Sequence, residues 1–303
     1  MKKFLIKVLL LFLIIILIDQ VLGVAYDYLY KNAKGGDTWR NEYINNKVNS
    51  DILILGSSRA SHHYDPSLIT SSLGLTCFNS GTDGNGIILS YGRLCLMKER
   101  MYQPKIVIYD VNPNFDLLQG EDNNKYLGWL RPYYSKKCIS CIFEAVDSKE
   151  KYKMLSQLYK YNSKFIQITS DYLLSKPQPD YNGYEPILSE MDTTKIRKKE
   201  VVRKYSFDSI KLRFLTKIVE ENPEVQFVFC ISPIWYGMDE EQYSIITSFC
   251  KDRAIPFVNF ANNPKYVHNN IYFSDGVHLN DTGAKEFTHD FIEELYKLNI
   301  DSL

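Results

Sequence analysis

Five short apolar runs alternate with segments of helical periodicity from residue 51 onward, and this alternation limits the fold more than any other feature. Each run is nearly continuous in apolar residues, which is typical of strands covered on both faces. The runs are DILILG (51–56), LTCFN (75–79), KIVIYDV (105–111), VQFVFCIS (225–232) and IPFVNF (255–260), and the helical segments are 87–100, 207–221 and 240–252. The pattern predicts an α/β fold with a mainly parallel five-stranded sheet between helices.

Residues 117–205 interrupt this alternation. The stretch is long, rich in Tyr and Lys, and has no clear central strand, so we expect an insertion with several helices. It lies between the third and fourth strands, at the edge where strand ends of such a sheet carry ligand sites. A lid or substrate platform and a helical addition without a role in the site both fit this position.

The N-terminus, MKKFLIKVLLLFLIIILIDQVLGVAYDYLY, has the pattern of an export signal, because Lys2, Lys3 and Lys7 precede or flank an apolar run over 8–18. That run is shorter than the roughly 20 residues of a bilayer span, but its extension to Ala25 reaches this length. A cleaved signal peptide and an uncleaved signal anchor over 1–25 are both compatible with this N-terminal sequence. The continuing apolar character favours the anchor, with the lysines cytoplasmic and the rest of the chain outside the cell membrane.

The amino-acid composition limits the classes of partner that we expect the chain to bind. The chain has 36 Lys and Arg against 36 Asp and Glu, so it lacks the basic field of nucleic-acid binders and we expect no nucleic-acid partner. Its 23 Tyr residues offer flat apolar faces with polar tips, which suit carbohydrate surfaces. The polar, Asn-rich residues 26–49 are predicted to be a linker that leads into a domain over 50–300.

The six cysteines indicate neither a disulfide framework nor a metal centre. Cys77 and Cys230 fall in predicted core strands, where a thiol behaves as a small hydrophobic group. Cys138 and Cys141 form a C-x-x-C, but no second pair has zinc spacing. We therefore expect no metal.

Polar residues follow the predicted strands where each one ends. Ser58 comes after the first strand, Gly84 after the second and Asn112 after the third, while Asp275 and His278 form an Asp-x-x-His near the C-terminus. None of these is specific alone, since Ser caps helices and Asn and Gly occupy loops. Together, at the carboxyl ends of successive strands, they supply every group that serine acyl transfer needs.

Each residue type suits a step of that chemistry. The hydroxyl of Ser58 must lose its proton to a base, and His278 is of the residue type that suits this role near neutral pH. Asp275 can accept the other imidazole N–H and orient the ring. The backbone N–H groups of Ser58 and Gly84 and the amide of Asn112 can stabilise the oxyanion on the substrate carbonyl.

This order of residues resembles the SGNH (GDSL-like) hydrolase superfamily, over roughly residues 50–295 with 117–205 outside the likeness. The resemblance implies a flavodoxin-like three-layer α/β/α sandwich with Ser58 as nucleophile, Gly84 and Asn112 as oxyanion donors, and Asp275 and His278 in the D-x-x-H block. Ser57 and Arg59 replace the Asp and Leu of the usual G-D-S-L, and Pro113 follows the asparagine where many members have Asp. G-S-S starts are similar to those of membrane-anchored relatives that move or remove acyl groups on envelope glycans.

Simpler interpretations remain open for single residues. Ser58 could be a helix N-cap, with Ser57 the alternative nucleophile. Asp275 and His278 could form an ordinary surface turn, and Asn112 could only close a turn.

Other residues near the motifs are expected to be peripheral or to contact substrate. His62 and His63 are predicted to lie on a helix surface or at the rim of the site. A second group could form a sugar-binding rim or be buried aromatic residues: Trp129, Arg131, Tyr133, Tyr134, Trp235 and Tyr236.

The sequence as a whole predicts an exported, membrane-tethered serine esterase or O-acyltransferase. Its expected substrate is an acyl ester, most simply an acetyl ester, of a cell-envelope or extracellular glycan, with no metal or organic cofactor and with no protein partner specified. The alternative is a non-catalytic glycan-binding or assembly component of the envelope. A nucleotide-binding protein is disfavoured, since neither a G-x-G-x-x-G nor a P-loop pattern is present.

Overall fold

The computed structural model describes residues 1–176, 182–192, 194 and 204–300. It divides the chain into two compact units, each built from two separate segments. The first unit comprises residues 1–47 and 123–179, and the second comprises 48–122 and 180–303. The predicted insertion at 117–205 is therefore divided between the two units, and parts of it lie outside the described residues.

The five strands are β1 (Ile52–Gly56), β2 (Cys77–Asn79), β3 (Ile106–Asp110), β4 (Gln226–Ile231) and β5 (Phe257–Asn259). The α-helices, in chain order, are α1 (Lys2–Lys31), α2 (Gly36–Asn46), α3 (Ser58–His63), α4 (Pro66–Leu73), α5 (Ile87–Glu99), α6 (Pro113–Asp116), α7 (Lys137–Val146), α8 (Glu150–Lys153), α9 (Phe165–Leu173), α10 (Ser209–Glu220), α11 (Ser244–Asp252) and α12 (Asp281–Lys297). Short 3-10 helices occur at Asn123–Leu127, Arg131–Tyr133, Leu158–Tyr161, Glu240–Gln242 and Asn270–Tyr272.

The sheet lies in the second unit. Its strand order is β2-β1-β3-β4-β5 and every neighbouring pair is parallel, which is the flavodoxin-like order. Each strand falls within the predicted apolar run, and helices follow the strands as the periodicity predicts. The predicted α/β architecture, with its five-stranded parallel sheet, is confirmed.

Alternate strand residues pack on opposite faces of the sheet. Ile54, Ile108 and Cys230 pack in one core cluster with Phe287 and Phe291 of α12. On the other face the rings of Tyr109 and Phe229 lie 5.5 Å apart, and Phe249 of α11 packs against Phe229. Because both faces are covered, strands of continuous apolar sequence are stable here.

Parallel strands bring their carboxyl ends to one edge of the sheet. β1 leads into α3, β3 leads into α6, and the loop after β2 leads into α5. This loop continues along β1 beyond the end of β2, since the Thr82 N–H donates to the carbonyl of Gly56 at 3.0 Å. The predicted site residues on these three connections are thus gathered at one edge.

The first unit is helical and includes the N-terminal apolar helix. By length and composition α1 could cross a membrane, with a mean hydropathy of 2.8 over its most apolar window. Residues 26–49, predicted as a linker, contain the end of α1 and the helix α2. Most of the buried side chains of α2 are polar, namely Thr38, Arg40, Asn41 and Asn45 beside Ile44. The α7, α8 and α9 helices lie within the predicted insertion.

Candidate active site

The turn between β1 and α3 presents Ser58. Gly56 ends the strand with φ +141°, a conformation that favours glycine, and a Cβ there would lie 2.6 Å from the carbonyl oxygen of Asp110. Ser57 is the N-cap of α3, yet its side chain makes no capping hydrogen bond, and Ser58 is the first helical residue. The N-cap interpretation of Ser58 is therefore wrong, and its hydroxyl is available for another contact.

That contact is His278. The Nε2 atom of His278 lies 2.8 Å from the Oγ of Ser58, and its Nδ1 lies 2.9 Å from Oδ2 of Asp275. Oδ1 of Asp275 accepts the backbone N–H groups of Val277 and His278, both at 2.8 Å, so the carboxylate is fixed in its own turn. Three residues predicted from two separate motifs meet in one hydrogen-bonded chain.

The charge state of Asp275 determines which atoms donate and which accept protons in this hydrogen-bonded chain. Burial acts to raise the pKa of Asp275, but the hydrogen bonds from the His278 ring and from the two backbone N–H groups lower it to about 2. The carboxylate is therefore ionised at neutral pH and accepts the Nδ1–H of His278. This leaves Nε2 as the acceptor for the hydroxyl proton of Ser58.

Asn112 and Gly84 lie on the two neighbouring connections. Asn112 is the N-cap of α6, where its Oδ1 accepts the N–H of Asn114, and its Nδ2 donates to the Oγ of Ser57 at 3.3 Å. Gly84 has φ +64°, and its N–H has no acceptor in the part of the chain that the structure describes. The amide of Asn112 therefore borders the nucleophile turn, and the Gly84 N–H stays available to a ligand.

Asp116 holds Asn112 in place. Its Oδ2 accepts the backbone N–H of Asn112 at 2.6 Å and its Oδ1 accepts the hydroxyl of Tyr109 at 2.7 Å. The carboxyl group also accepts the backbone N–H of Ile87 at the start of α5. Burial raises the pKa of Asp116 to about 7 despite these hydrogen bonds. One buried carboxyl group thus links the loops after β2 and β3.

Arg59, a departure from the family pattern, has a structural position. Its side chain is fully buried, its guanidinium donates to the carbonyl of Val111, and its Nε lies 3.6 Å from Oδ2 of Asp110. Oδ1 of Asp110 accepts the N–H of Ser232 at 2.8 Å and the hydroxyl of Tyr64 at 3.1 Å. Burial raises the pKa of Asp110. This buried ion pair connects α3 to the ends of β3 and β4.

The prediction that His63 lies at a surface or rim is wrong, since the residue is fully buried. Its Nε2 accepts the backbone N–H of Leu279 at 3.0 Å, and its Nδ1 lies 2.9 Å from the Oγ of Ser232. Burial lowers the pKa of His63 well below its ordinary value, so the ring is neutral. Leu279 directly follows His278, and His63 therefore fixes the backbone that carries the histidine of the site.

His62 lies at the rim, half-buried, with its ring edge-to-face against that of His278 at 5.6 Å. Its Nδ1 is 2.6 Å from the carbonyl oxygen of Glu185, and its Nε2 is 3.3 Å from the carboxylate of Asp83. Burial acts to lower the pKa of His62, but these contacts raise it overall. His62 thus ties the residue before Gly84 to the site. The doubled histidine after the nucleophile was its only sequence signal.

The aromatic residues predicted as a sugar rim occupy different environments. In the second unit, Tyr236 packs on the Asp275–His278 turn, because a Cβ at Gly276 would lie 2.2 Å from its ring. Trp235 is only partly buried, and its indole N–H donates to Asn270 at 2.8 Å. In the first unit Trp129 is buried under the ammonium of Lys164, which lies 3.3 Å from the ring centre. Within the second unit, Tyr236 therefore borders the turn that carries Asp275 and His278, and Trp235 packs against Tyr236.

The six cysteines all lie in the described residues and form no disulfide bond, and Cys138 and Cys141 lie on α7. Across residues 1–176, 182–192, 194 and 204–300 there is no group of three or more His, Cys, Asp or Glu side chains arranged to hold a metal ion.

Comparison with known families and with curated proteins finds no match for this chain.

Proposed function

We propose that this chain is a serine esterase or O-acyltransferase of the SGNH type. The observation that carries the proposal is the continuous hydrogen-bonded chain from the Ser58 hydroxyl through His278 to the ionised Asp275. An N-cap serine or a surface turn requires no such chain, whereas a nucleophile that must lose its proton does.

In the proposed reaction Oγ of Ser58 attacks the carbonyl carbon of an ester while its proton passes to Nε2 of His278. The oxyanion that forms is stabilised by the N–H groups of Ser58 and Gly84 and by the amide of Asn112. Collapse breaks the bond to the alcohol, which takes the proton from His278 and leaves an acyl group on Ser58. Water or a second sugar hydroxyl then attacks this ester with His278 as base, which releases the acid or the transferred ester.

We further propose that the protein is anchored in the cell membrane by α1, with Lys2, Lys3 and Lys7 cytoplasmic and both units outside. The packing of α1 favours an anchor over a cleaved signal. Its Asp19 accepts hydrogen bonds from the hydroxyl of Ser156 and from the next two backbone N–H groups. Cleavage beyond the apolar run would remove a helix that its own unit uses for packing.

An acyl ester of an envelope or extracellular glycan, most simply an acetyl ester, is the proposed substrate. The proposed export would bring the site to such polymers, and Tyr236 supplies aromatic surface next to the Asp275–His278 turn, with Trp235 packed against it. In this proposal the two aromatic side chains bind the sugar.

The test uses the full chain in detergent, a fluorophosphonate probe and p-nitrophenyl acetate. We expect labelling and turnover in the wild type, with both lost in Ser58→Ala and in His278→Ala. Ser57→Ala is the matched control, since it removes the neighbouring hydroxyl and should still be labelled. Peptide mapping should place the adduct on Ser58.

Two results would count against the proposal. Labelling that survives in Ser58→Ala and is lost in Ser57→Ala would move the nucleophile by one residue. A wild type that is folded by circular dichroism but neither labels nor turns over would favour the non-catalytic glycan-binding alternative. Measurement of binding to acetylated polysaccharide would then be the next step.

A further inference from the structure

The first unit contains apolar surface that neither its fold nor the proposed chemistry explains. Three described residues of the segment 150–176 illustrate this, since Leu155 is 75 %, Ile166 is 87 % and Leu174 is 77 % exposed. An exposed apolar patch on a protein usually marks a surface that something covers, and Ile166 and Leu174 line one such patch. The question is which partner covers this one.

The position of α1 answers it, because this helix has two different faces beyond Ile18. One face contacts its own unit from Asp19 onward, and a Cβ at Gly23 would lie 2.3 Å from the Cβ of Gln157. The opposite face remains apolar and exposed at Val21 and Val24. One side of these turns of α1 therefore packs against its own unit, whereas the opposite side is exposed.

In an anchored protein, the length of the apolar part of α1 determines how deep the first unit lies in the membrane interface. The stretch from Val8 to Val24 spans about 25 Å at the rise of an α-helix, which is close to a hydrocarbon core of about 30 Å. Asp19 and Gly23 lie within this span, and their contacts are to residues 156–158. The segment around Leu155 is therefore held at the boundary between headgroups and acyl chains.

An open groove of about 360 Å³ lies at the same level, between α1 and α9. It is lined almost entirely by apolar atoms, and the residues are Tyr26, Phe165, Ile166, Thr169, Ser170, Leu173 and Leu174. Tyr26 follows Val24 by two residues on α1, so the groove opens near the end of the membrane span. The ring of Phe165 packs edge-to-face against Tyr26 at 4.8 Å and forms its floor.

Charge indicates the kind of surface that this part of the unit contacts. Residues 123–176 contain ten Lys and Arg against four Asp and Glu, a net charge of +6 in a chain whose total is zero. Lysines such as Lys149 and Lys151 are exposed beside the apolar residues. Apolar side chains flanked by lysines are typical of elements that lie in a membrane interface with anionic lipid.

We propose that the groove between α1 and α9 binds an acyl chain of an anionic membrane phospholipid, with Leu155, Ile166 and Leu174 inserted at the lipid boundary. The proposal rests on the membrane anchoring proposed above and is independent of the esterase chemistry. It assigns the first unit a role as a membrane-interface module with a lipid site. Insertion of such an element reaches about 5–10 Å into the interface, which agrees with the depth set by α1.

The test uses the full chain in nanodiscs of phosphatidylglycerol and phosphatidylethanolamine, with a photoreactive benzophenone amino acid in place of one residue at a time. Ile166 probes the groove, and Leu13 within the apolar run of α1 reports the membrane span itself. Glu144, exposed on α7 of the same unit, is the matched control. After irradiation, intact mass spectrometry measures the yield of phospholipid adduct at each position.

We expect phospholipid adducts at Leu13 and at Ile166, with at least a several-fold lower yield at Glu144. An adduct at Leu13 without one at Ile166 would overturn the lipid site and leave the anchor intact. Equal yields at Ile166 and Glu144, or cross-linking of Ile166 to a second copy of the chain, would also overturn it. Absence of adducts at both Leu13 and Ile166 would show that the anchoring itself is wrong.

Discussion

The sheet-containing unit buries charged groups around its site, whereas the helical unit exposes apolar groups around α1. In the first case Arg59, Asp110, Asp116 and His63 are removed from water at the carboxyl edge of the sheet. In the second case Leu155, Ile166 and their neighbours face outward. Each arrangement costs free energy in an ordinary water-soluble domain.

The comparison shows which interactions compensate the free-energy cost of each arrangement. Buried titratable groups at the sheet edge form hydrogen bonds with backbone groups at or next to Asn112 and His278, so their cost maintains the geometry of the site. Under the lipid contact proposed above, the exposed apolar residues near α1 would lose their cost because lipid replaces water. Substitutions in the two units should therefore alter different properties, and four of them test this.

Asp275→Asn should have the largest effect. The amide keeps the shape of the side chain but presents an N–H where the Nδ1–H of His278 needs an acceptor, so the ring turns or changes tautomer. We expect kcat/KM for p-nitrophenyl acetate to fall by about 10²–10⁴-fold, with a modest loss of thermal stability at neutral pH. An unchanged kcat/KM would mean that His278 does not act as the base.

Acid titration provides a second measurement on the same pair. The pKa of Asp275 is lowered to about 2 in the folded protein, below its unfolded value. Its contribution to stability is therefore present above about pH 4 and is lost as pH falls towards 2. The difference in unfolding midpoint between wild type and Asp275→Asn should shrink over that interval.

Asp116→Asn should reduce turnover less. The substitution removes one of the two carboxylate oxygens, and with it the acceptor for the backbone N–H of Asn112. The side-chain amide of Asn112, which stabilises the oxyanion in the proposed reaction, then loses its fixed position. We expect a fall in kcat of about 10–100-fold with a smaller change in KM. Tyr109→Phe is the control, since it removes the other hydrogen bond of Asp116 and leaves Asn112 in place. Equal losses in both variants would argue for a general loss of packing.

The same variant tests the pKa of Asp116, which burial raises to about 7. A raised carboxyl pKa means that the folded state takes up a proton, so the favourable contribution is present below about pH 4 and is lost as pH rises through 7. The stability of the wild type relative to Asp116→Asn should therefore decrease from pH 4 to pH 7. An increase would contradict the assignment.

His63→Leu should mainly lower the stability of the fold. It leaves the Leu279 N–H and the Ser232 hydroxyl without their present partner, at a cost of about 1–3 kcal/mol in the free energy of unfolding. Because the pKa of His63 is lowered, the wild type should lose stability as pH falls below about 6.5, and the variant should lack that loss. Urea denaturation between pH 5 and 8 measures both, and His62→Gln serves as the neighbouring control.

Gly23→Ala should leave turnover unchanged and therefore tests the separation of the two units. Its Cβ would lie 2.3 Å from that of Gln157, which loosens the packing of α1 at a cost of about 1–3 kcal/mol within the helical unit. We expect faster limited proteolysis after Lys31 or Lys34 in detergent, with kcat/KM as in the wild type. Val24→Ala, on the exposed face, should change neither. A fall in kcat/KM for Gly23→Ala would show that the units are coupled in function.

Local pattern predicted the strands well. Each strand coincides with an apolar run, because burial on both faces demands continuous hydrophobicity and the signal is contained in a few neighbouring residues. Ser58, Asn112 and His278 could be chosen because strand ends of a parallel sheet converge. Their roles in chemistry stay predictions until the probe experiment is done.

Long-range contacts explain what the sequence did not indicate. His63 was assigned to a surface or rim because its partner, Leu279, is 216 residues away. The helix α2 went unrecognised within a polar stretch because most of its buried residues are themselves polar, so no hydrophobic periodicity marks it. In both places a polar side chain is buried through a hydrogen bond or a contact that hydropathy does not record.

By itself the sequence determined the class of fold, the apolar N-terminal helix and the set of residues from which a site could be built, since these follow from hydrophobic periodicity and residue chemistry. The tertiary structure alone decided that the Ser58 hydroxyl meets His278 rather than capping a helix, that Arg59 is an internal ion-pair partner, and that α1 packs within its own unit. The reason is physical. Burial and pairing over many residues set the protonation and orientation of polar groups, and these depend on which segments the fold brings together.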